Sequence, residues 1–184
     1  MSNRLVILDR DGVINVNGSG YISSLQQFKL IPGSINAIVN ICKLGYKIAV
    51  CTNQSAIARG VLTIEELLKI NQYLIDTVQN AGGRIEGIEF CPHHPDDHCE
   101  CRKPKTLMLK KIAHFCGVDD ISSVYMVGDS YTDILAIKNF GGIPVLVKTG
   151  HGLETIKYNL ESTLIFDDLQ SFADYLYEKE NHGD

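Results

Sequence analysis

Asp9 and Asp11 stand two residues apart at the end of the apolar run Leu5 to Leu8, and Gly12 follows them directly. Four consecutive apolar residues predict a short strand buried on both faces. An extended backbone turns both carboxylates toward one side, and Gly12 lets the chain bend away with no side chain in the way. Acids at the carboxyl end of a buried strand lie where open α/β sheets hold their ligands. Adjacent carboxylates resist ionising together, so a cation is expected between them. An EF-hand loop does not fit, because its glycine is the sixth residue and it begins on a helix.

Three further stretches carry chemistry. Thr52, Asn53, Gln54 and Ser55 follow a second apolar run, Tyr46 to Cys51, and their hydroxyls, amides and free backbone N–H groups suit an anion. Gly128 and Asp129 follow Val124 to Val127, with Asp133 one helical turn further on. The loop from Cys91 to Pro104 offers Cys91, His93, Cys99 and Cys101, the three thiolates and one imidazole of a closed zinc site; spacing alone leaves His94 and His98 as alternatives to His93. Arg102 and Lys103 come straight after the last thiol, so zinc would fix where they point. Clustered carboxylates without a histidine select Mg²⁺. Acid, hard cation, amide cradle and lysine together serve phosphoryl transfer, whose transition state spreads negative charge over three oxygens.

The elements that must position these groups follow from the apolar pattern. A chain of 184 residues that is 45% hydrophobic supports one domain over 1–184. Pro32, Gly33 and Ser34 open a helix that ends at Gly45. Thr63 and Glu66 form a capping box for a longer helix with Ile64, Leu67, Leu68, Leu74, Ile75 and Val78 inward, stopped by Gly82 and Gly83. A third strand is expected over 84–90, a helix from Pro104 to Gly117, strands over 143–147 and 163–166, and a closing helix begun by Asp167 or Asp168. Strands alternating with helices predict a doubly wound parallel α/β sheet. Residues 13–31 form a long loop after the acidic pair and read as a lid. His151, between Gly150 and Gly152, reads as solvated.

A net charge of -5 and a pI near 5.6 argue against nucleic acid and membrane surfaces as partners. With no targeting segment and no apolar run long enough to span a bilayer, the expectation is the cytoplasm; the chain is also expected to be a monomer. Cys42, Cys51 and Cys116 lie in apolar segments and read as core thiols, which with a metal loop fits a reducing compartment.

The Asp-x-Asp after the first strand, the Thr after the second, the Lys and the Gly-Asp-x-x-x-Asp occur in the order that marks the HAD superfamily of phosphatases, which this sequence resembles over most of its length. The segments 9–15, 52–60 and 91–104 are similar to its zinc-loop branch, which includes sugar-bisphosphate and histidinol-phosphate phosphatases. The resemblance implies a Rossmann-like sheet with a small zinc-stabilised insertion and no separate cap domain. Asp9 would be the nucleophile and Asp11 the general acid and base; Thr52 and Lys103 would hold the phosphoryl oxygens. Mg²⁺ would be held by the Asp9 and Asp129 carboxylates and the Asp11 carbonyl, and Zn²⁺ by Cys91, His93, Cys99 and Cys101. Asn17, Gly20, Tyr21, Asn53, Gln54, Ser55, Arg102 and Ser130 would meet a small phosphorylated sugar, Arg102 through a second phosphate, with Asp133 orienting the metal site or Lys103. Ala56 and Ser130 depart from the family pattern, which carries glycine at the first position and, in some members, lysine at the second. Two other readings stay open: histidinol-phosphate hydrolysis, and a non-catalytic zinc-stabilised binding module.

Overall fold

The computed structural model describes residues 4–18 and 20–182. Six parallel strands form one sheet in the order β3-β2-β1-β4-β5-β6: β1 Leu5–Leu8, β2 Lys47–Asn53, β3 Gly87–Cys91, β4 Tyr125–Gly128, β5 Ile143–Val147 and β6 Leu164–Phe166. The helices are α1 Ser34–Lys43, α2 Ile64–Asn80, α3 Leu107–Cys116, α4 Tyr131–Phe140, the single turn α5 Gly152–Thr155, and α6 Leu169–His182.

Alternation along the strands divides the core. Val6, Leu8, Ile48, Val50, Tyr125 and Val127 face one layer with α1, α2 and α6, whereas Leu5, Ile7, Ala49, Cys51 and Met126 face the other with α3 and α4. Every residue of β1 is fully buried, as a central parallel strand requires. The chain leaves β1 toward β2 in one direction and later returns as β4 on the other side, which makes the carboxyl ends of β1 and β4 the switch point of the sheet. The Asp9 N–H donates to Val127 O at 2.8 Å, which fixes the register of the two ends.

Several boundaries differ from the sequence reading. Ile64 and Leu68 of α2 are half exposed, and Ile70 takes an inward place instead, so the buried stripe is Leu67, Ile70, Leu74 and Val78. Thr63 caps α2 by accepting from the Glu66 N–H, but the Glu66 carboxylate does not close the box. It accepts instead from the Leu25 N–H at 2.9 Å, tying α2 to the 13–31 loop. That loop holds a single 3-10 turn, Leu25–Gln27, and its ends are joined by an antiparallel bridge between Asn15 and Leu30. Pro104 precedes α3 rather than opening it, since Thr106 is the N-cap. Among the described residues no helix is long and apolar enough to cross a membrane.

Candidate active site

The tight turn after β1 sets the geometry. The Arg10 carbonyl accepts from the N–H groups of Ile14 and Asn15 at 2.9 and 3.1 Å, and Gly12 sits at φ 86°, a value that L side chains rarely adopt. A side chain at Gly12 would also strike the Asp129 carboxylate, with its Cβ only 2.1 Å from Oδ2, and Gly150 is crowded against the same oxygen to the same degree. Asp129 is held further by the His151 backbone N–H, which donates to Oδ2 at 2.8 Å, and by Thr155 Oγ1, which donates to its carbonyl at 2.8 Å. The His151 ring is exposed, as expected; its backbone is what the site uses.

Among the described residues, Lys103 is the cation at the centre of this cluster. Its Nζ is 2.9 Å from Asp9 Oδ1, 2.6 Å from Asp133 Oδ1 and 2.7 Å from Cys51 O, and the side chain is 2% exposed. Burial works against its charge, but Asp133 and Asp9 outweigh that and hold the ammonium charged well above its ordinary range. The other Asp133 oxygen accepts from the Ser130 N–H and hydroxyl at 3.1 and 2.6 Å, so Asp133 both caps α4 and aims Lys103.

One oxygen each of Asp9, Asp129 and Asp133 lies within 4.8 Å of the others, and all three residues are buried. Burial, with Asp133, Asp129 and Asp11 adding to it against Lys103, pushes Asp9 up to about 8. Burial and then Asp133 push Asp129 up to about 7. One ammonium faces three carboxylates, and the two charges missing from balance are what a divalent cation supplies. The donor set is all oxygen, which fits Mg²⁺. Both Asp133 oxygens are engaged, by Lys103 and Ser130, whereas Asp9 and Asp129 each spend one oxygen, on Lys103 and on the His151 N–H, and could hold the ion with the other.

The raised values have a consequence for stability. A carboxyl whose folded-state value lies above its unfolded one contributes stability below the unfolded value and loses it as pH rises through the folded one. The metal-free protein therefore weakens between about pH 4 and 8, while Mg²⁺ competes with the protons. Mg²⁺ at about 100 times its dissociation constant should raise the melting temperature by about 5–10 °C at pH 8. The gain should nearly vanish at pH 5. Equal gains at both pH values in a thermal-shift series would contradict this account.

The structure sorts the remaining candidates. The Asp11 carboxylate does not join the metal cluster: it accepts from Arg10, from Asn15 Nδ2 at 2.9 Å and from Gln54 Nε2 at 2.7 Å. Gln54 Nε2 also donates to Thr52 Oγ1 at 3.0 Å, which leaves the buried Thr52 hydroxyl free to donate elsewhere. Asn53 is spent on the backbone of Lys103, accepting from its N–H at 3.1 Å and donating to its carbonyl at 3.3 Å. It positions the lysine from the end of β2. Ser55 is buried beside Gln54, and Ser130 is committed to Asp133 and to Thr132 Oγ1 at 2.8 Å. Tyr21 is 48% exposed under the Arg59 guanidinium, whose Cζ lies 5.6 Å from the ring centroid; Gly20 lines a groove with Tyr21 and Lys29, and Asn17 is half-buried nearby in the chain. Arg102 is half-buried and its Nη1 is a buried donor with no partner, which suits it to an incoming oxyanion.

Sequence reasoning missed Arg10. It is fully buried, although it lies between two acids. The available signal was alternation: Asp9 and Asp11 on one side of an extended backbone send residue 10 to the other, into the layer of Val6 and Leu8.

The Cys91 to Pro104 loop gathers four soft donors. Cys91 Sγ lies 3.7 Å from His93 Nδ1 and 3.6 Å from Cys99 Sγ; Cys101 Sγ lies 3.6 Å from Cys99 Sγ and 3.2 Å from His93 Nδ1. His93 is thus the imidazole that meets the thiols, and His94 instead caps the short turn Pro95–Asp97. Burial and the neighbouring sulfurs of Cys91 and Cys99 push Cys101 up to about 12. The cluster is one that could hold a metal ion, and the Arg102 backbone N–H donates to Cys99.

A model of HAD-hydrolase-like domains matches residues 100–172. The D-glycero-beta-D-manno-heptose-1,7-bisphosphate 7-phosphatase of Pseudomonas aeruginosa is 46% identical over 179 residues, covering 97% of this chain and all of its own. That of Neisseria meningitidis serogroup B is 39% identical over 180 residues, or 96% of each chain. The crystal structure of D,D-heptose 1,7-bisphosphate phosphatase from Bordetella bronchiseptica, complexed with magnesium and phosphate, superposes with a TM-score of 0.92 at 36% identity, covering 96% of this chain and 99% of that one. At these identities over nearly the whole of each chain, the chain belongs to the HAD superfamily of phosphatases, in the family of the D,D-heptose-1,7-bisphosphate 7-phosphatases.

Proposed function

We propose that this chain is a Mg²⁺-dependent phosphatase that removes the 7-phosphate of D-glycero-D-manno-heptose 1,7-bisphosphate through an aspartyl-phosphate on Asp9. The observation that carries the chemistry is the pairing of Asp9 Oδ1 with Lys103 Nζ at 2.9 Å beside Asp129, at the switch point of the sheet. The substrate assignment is supported by the names of the full-length relatives and by the magnesium and phosphate in the Bordetella bronchiseptica structure.

Asp9 attacks phosphorus, the bond to the sugar oxygen breaks, and Asp11 gives that oxygen a proton. Asp11 then takes a proton from the water that attacks the acyl phosphate, which returns Asp9 and releases inorganic phosphate. Lys103 and the Thr52 hydroxyl hold the phosphoryl oxygens, and Arg102 takes the second phosphate through its unpartnered Nη1. Asp9, Asp129 and the Asp11 carbonyl would hold Mg²⁺, whose charge would offset the repulsion between an anionic nucleophile and an anionic ester. A site complete within one chain supports the reading of a monomer, and thiols without disulfides support the cytoplasm.

Phosphate release from both anomers of heptose 1,7-bisphosphate and from histidinol phosphate, measured side by side with Mg²⁺, tests the assignment. A kcat/KM advantage of about 100-fold or more is expected for one heptose bisphosphate, because a site built for a second phosphate rejects an ester lacking it. A preference for histidinol phosphate would move the chain to the second reading. No turnover of any ester would leave the binding module.

Zinc is our reading of the ion for the thiol loop. Separations of 3.2 to 3.7 Å match the edges of a tetrahedron around Zn²⁺ with bonds of about 2.0–2.3 Å. Zinc would anchor Cys99 and Cys101, and through them the backbone leading to Arg102 and Lys103. Removing it with a chelator, with Mg²⁺ then restored in excess, should cost about 10- to 100-fold in turnover. Full activity in protein shown by elemental analysis to be zinc-free would refute the coupling.

A further inference from the structure

Arg10 is a charged side chain with no exposure, set between the two acids of the site. Its Nη2 donates to both Asp11 oxygens, at 3.0 and 3.1 Å, and Nε donates to Oδ1 at 3.3 Å. On its other side Nη1 donates to Asn71 Oδ1 of α2 at 3.4 Å, and Cζ lies 5.6 Å from the ring centroid of Phe28 in the 13–31 loop. Asn71 and Phe28 are themselves buried. A guanidinium removed from water needs its charge matched. Asp11 is its carboxylate partner among the described residues. The planar fork therefore fixes the carboxylate in two directions at once, where a lysine would hold it at a point.

We propose that Arg10 is the positioning residue of the acid–base carboxylate, locking the Asp11 side chain to α2 and to the lid loop so that its oxygen reaches the leaving group in one orientation. This rests on the reading of Asp11 as general acid and base. Both Asp11 oxygens are engaged in the described state, Oδ1 by Arg10 and Asn15 and Oδ2 by Gln54 and Arg10. In this state Asp11 is the ionised carboxylate, so it must give up part of this cradle to take up from solvent the proton that it then donates to the sugar oxygen. Arg10, pinned by Asn71 and Phe28, stays behind as the fixed point to which the carboxylate returns. The buried link also places the lid loop in contact with the catalytic carboxylate through one side chain.

The test uses leaving groups. A sugar alkoxide needs a proton as its bond to phosphorus breaks, whereas p-nitrophenolate leaves without one. In Arg10→Lys, rapid-quench measurement of aspartyl-phosphate formation should show a loss of about 10- to 100-fold with the sugar bisphosphate and under about threefold with p-nitrophenyl phosphate. KM for the sugar should change little. Asn71→Ala keeps the Asp11 contacts and loosens only the support of Arg10, and should shift the same ratio in the same direction by about three- to tenfold. It also serves if Arg10→Lys does not fold. Equal losses with both esters in the folded variants would make Arg10 merely structural and overturn the proposal. If Asp11→Asn also slows both esters equally, the acid–base reading itself fails; if Asp11→Asn discriminates between the esters and the Arg10 and Asn71 variants do not, the proposal alone fails.

Discussion

Asp9→Asn is expected to abolish turnover while making the metal-free protein more stable at alkaline pH. The amide cannot form the acyl phosphate, so kcat should fall by about 10⁴-fold or more, below detection in a phosphate-release assay. The same exchange removes a carboxyl that burial, Asp133 and Asp129 push up to about 8. Because a raised folded-state value costs stability as pH climbs toward it, the neutral amide should melt higher than the parent at pH 8.5 and no higher at pH 5. Calorimetry at the two pH values, without Mg²⁺, checks the sign. A variant that melts lower than the parent at pH 8.5 would show that the pairing with Lys103 outweighs the crowding of the three acids.

Lys103→Met is expected to damage both activity and stability. Lys103 neutralises the phosphoryl oxygens in the mechanism, and loss of one such group costs about 10²- to 10³-fold in kcat. It is also the ammonium on which Asp9 and Asp133 converge, at 2.9 and 2.6 Å, with all three side chains largely buried. Breaking a buried pair by removing one partner costs about 3–5 kcal/mol. The loss of melting temperature should be greatest at high pH without metal and should shrink when the acids are protonated. Added Mg²⁺ should restore part of it. A metal-free variant that melts like the parent at every pH would mean that the lysine charge is not what holds the acids together.

Local pattern made the frame legible. Leu5 to Leu8, Val124 to Val127 and Ile143 to Val147 announced strands by apolar runs, and each strand end that carried a polar group placed it at one edge of the sheet. Asp9, Asp129 and Lys103 could be read because a buried strand end leaves a carboxylate few places to go, and the thiol loop because four soft donors fall close together. What the sequence did not disclose were partners chosen across the fold. Asn53 reads as an anion ligand, yet it faces a backbone fifty residues away. Glu66 fits a capping box, yet Leu25 reaches it first. Ile64 and Leu68 satisfy helical periodicity, but the helix rolls so that Ile70 faces the sheet. Arg10 reads like any surface arginine unless the alternation of β1 is followed past the strand end, which sends it into the layer of Val6 and Leu8.

The packing of Gly12 and Gly150 against Asp129 bears on how the enzyme could be redesigned. Neither position has room for even a methyl group beside that oxygen. Saturation libraries aimed at a new sugar would therefore waste their diversity there. A neighbouring cavity of about 450 Å³ is different: His151 and Thr155, which hold Asp129, line it together with Tyr131 and Tyr158, whose rings stack at 4.7 Å. Tyr158 is exposed and makes no contact with Asp129 itself, so exchanges there alter this cavity and leave the His151 N–H and the Thr155 hydroxyl on Asp129 in place.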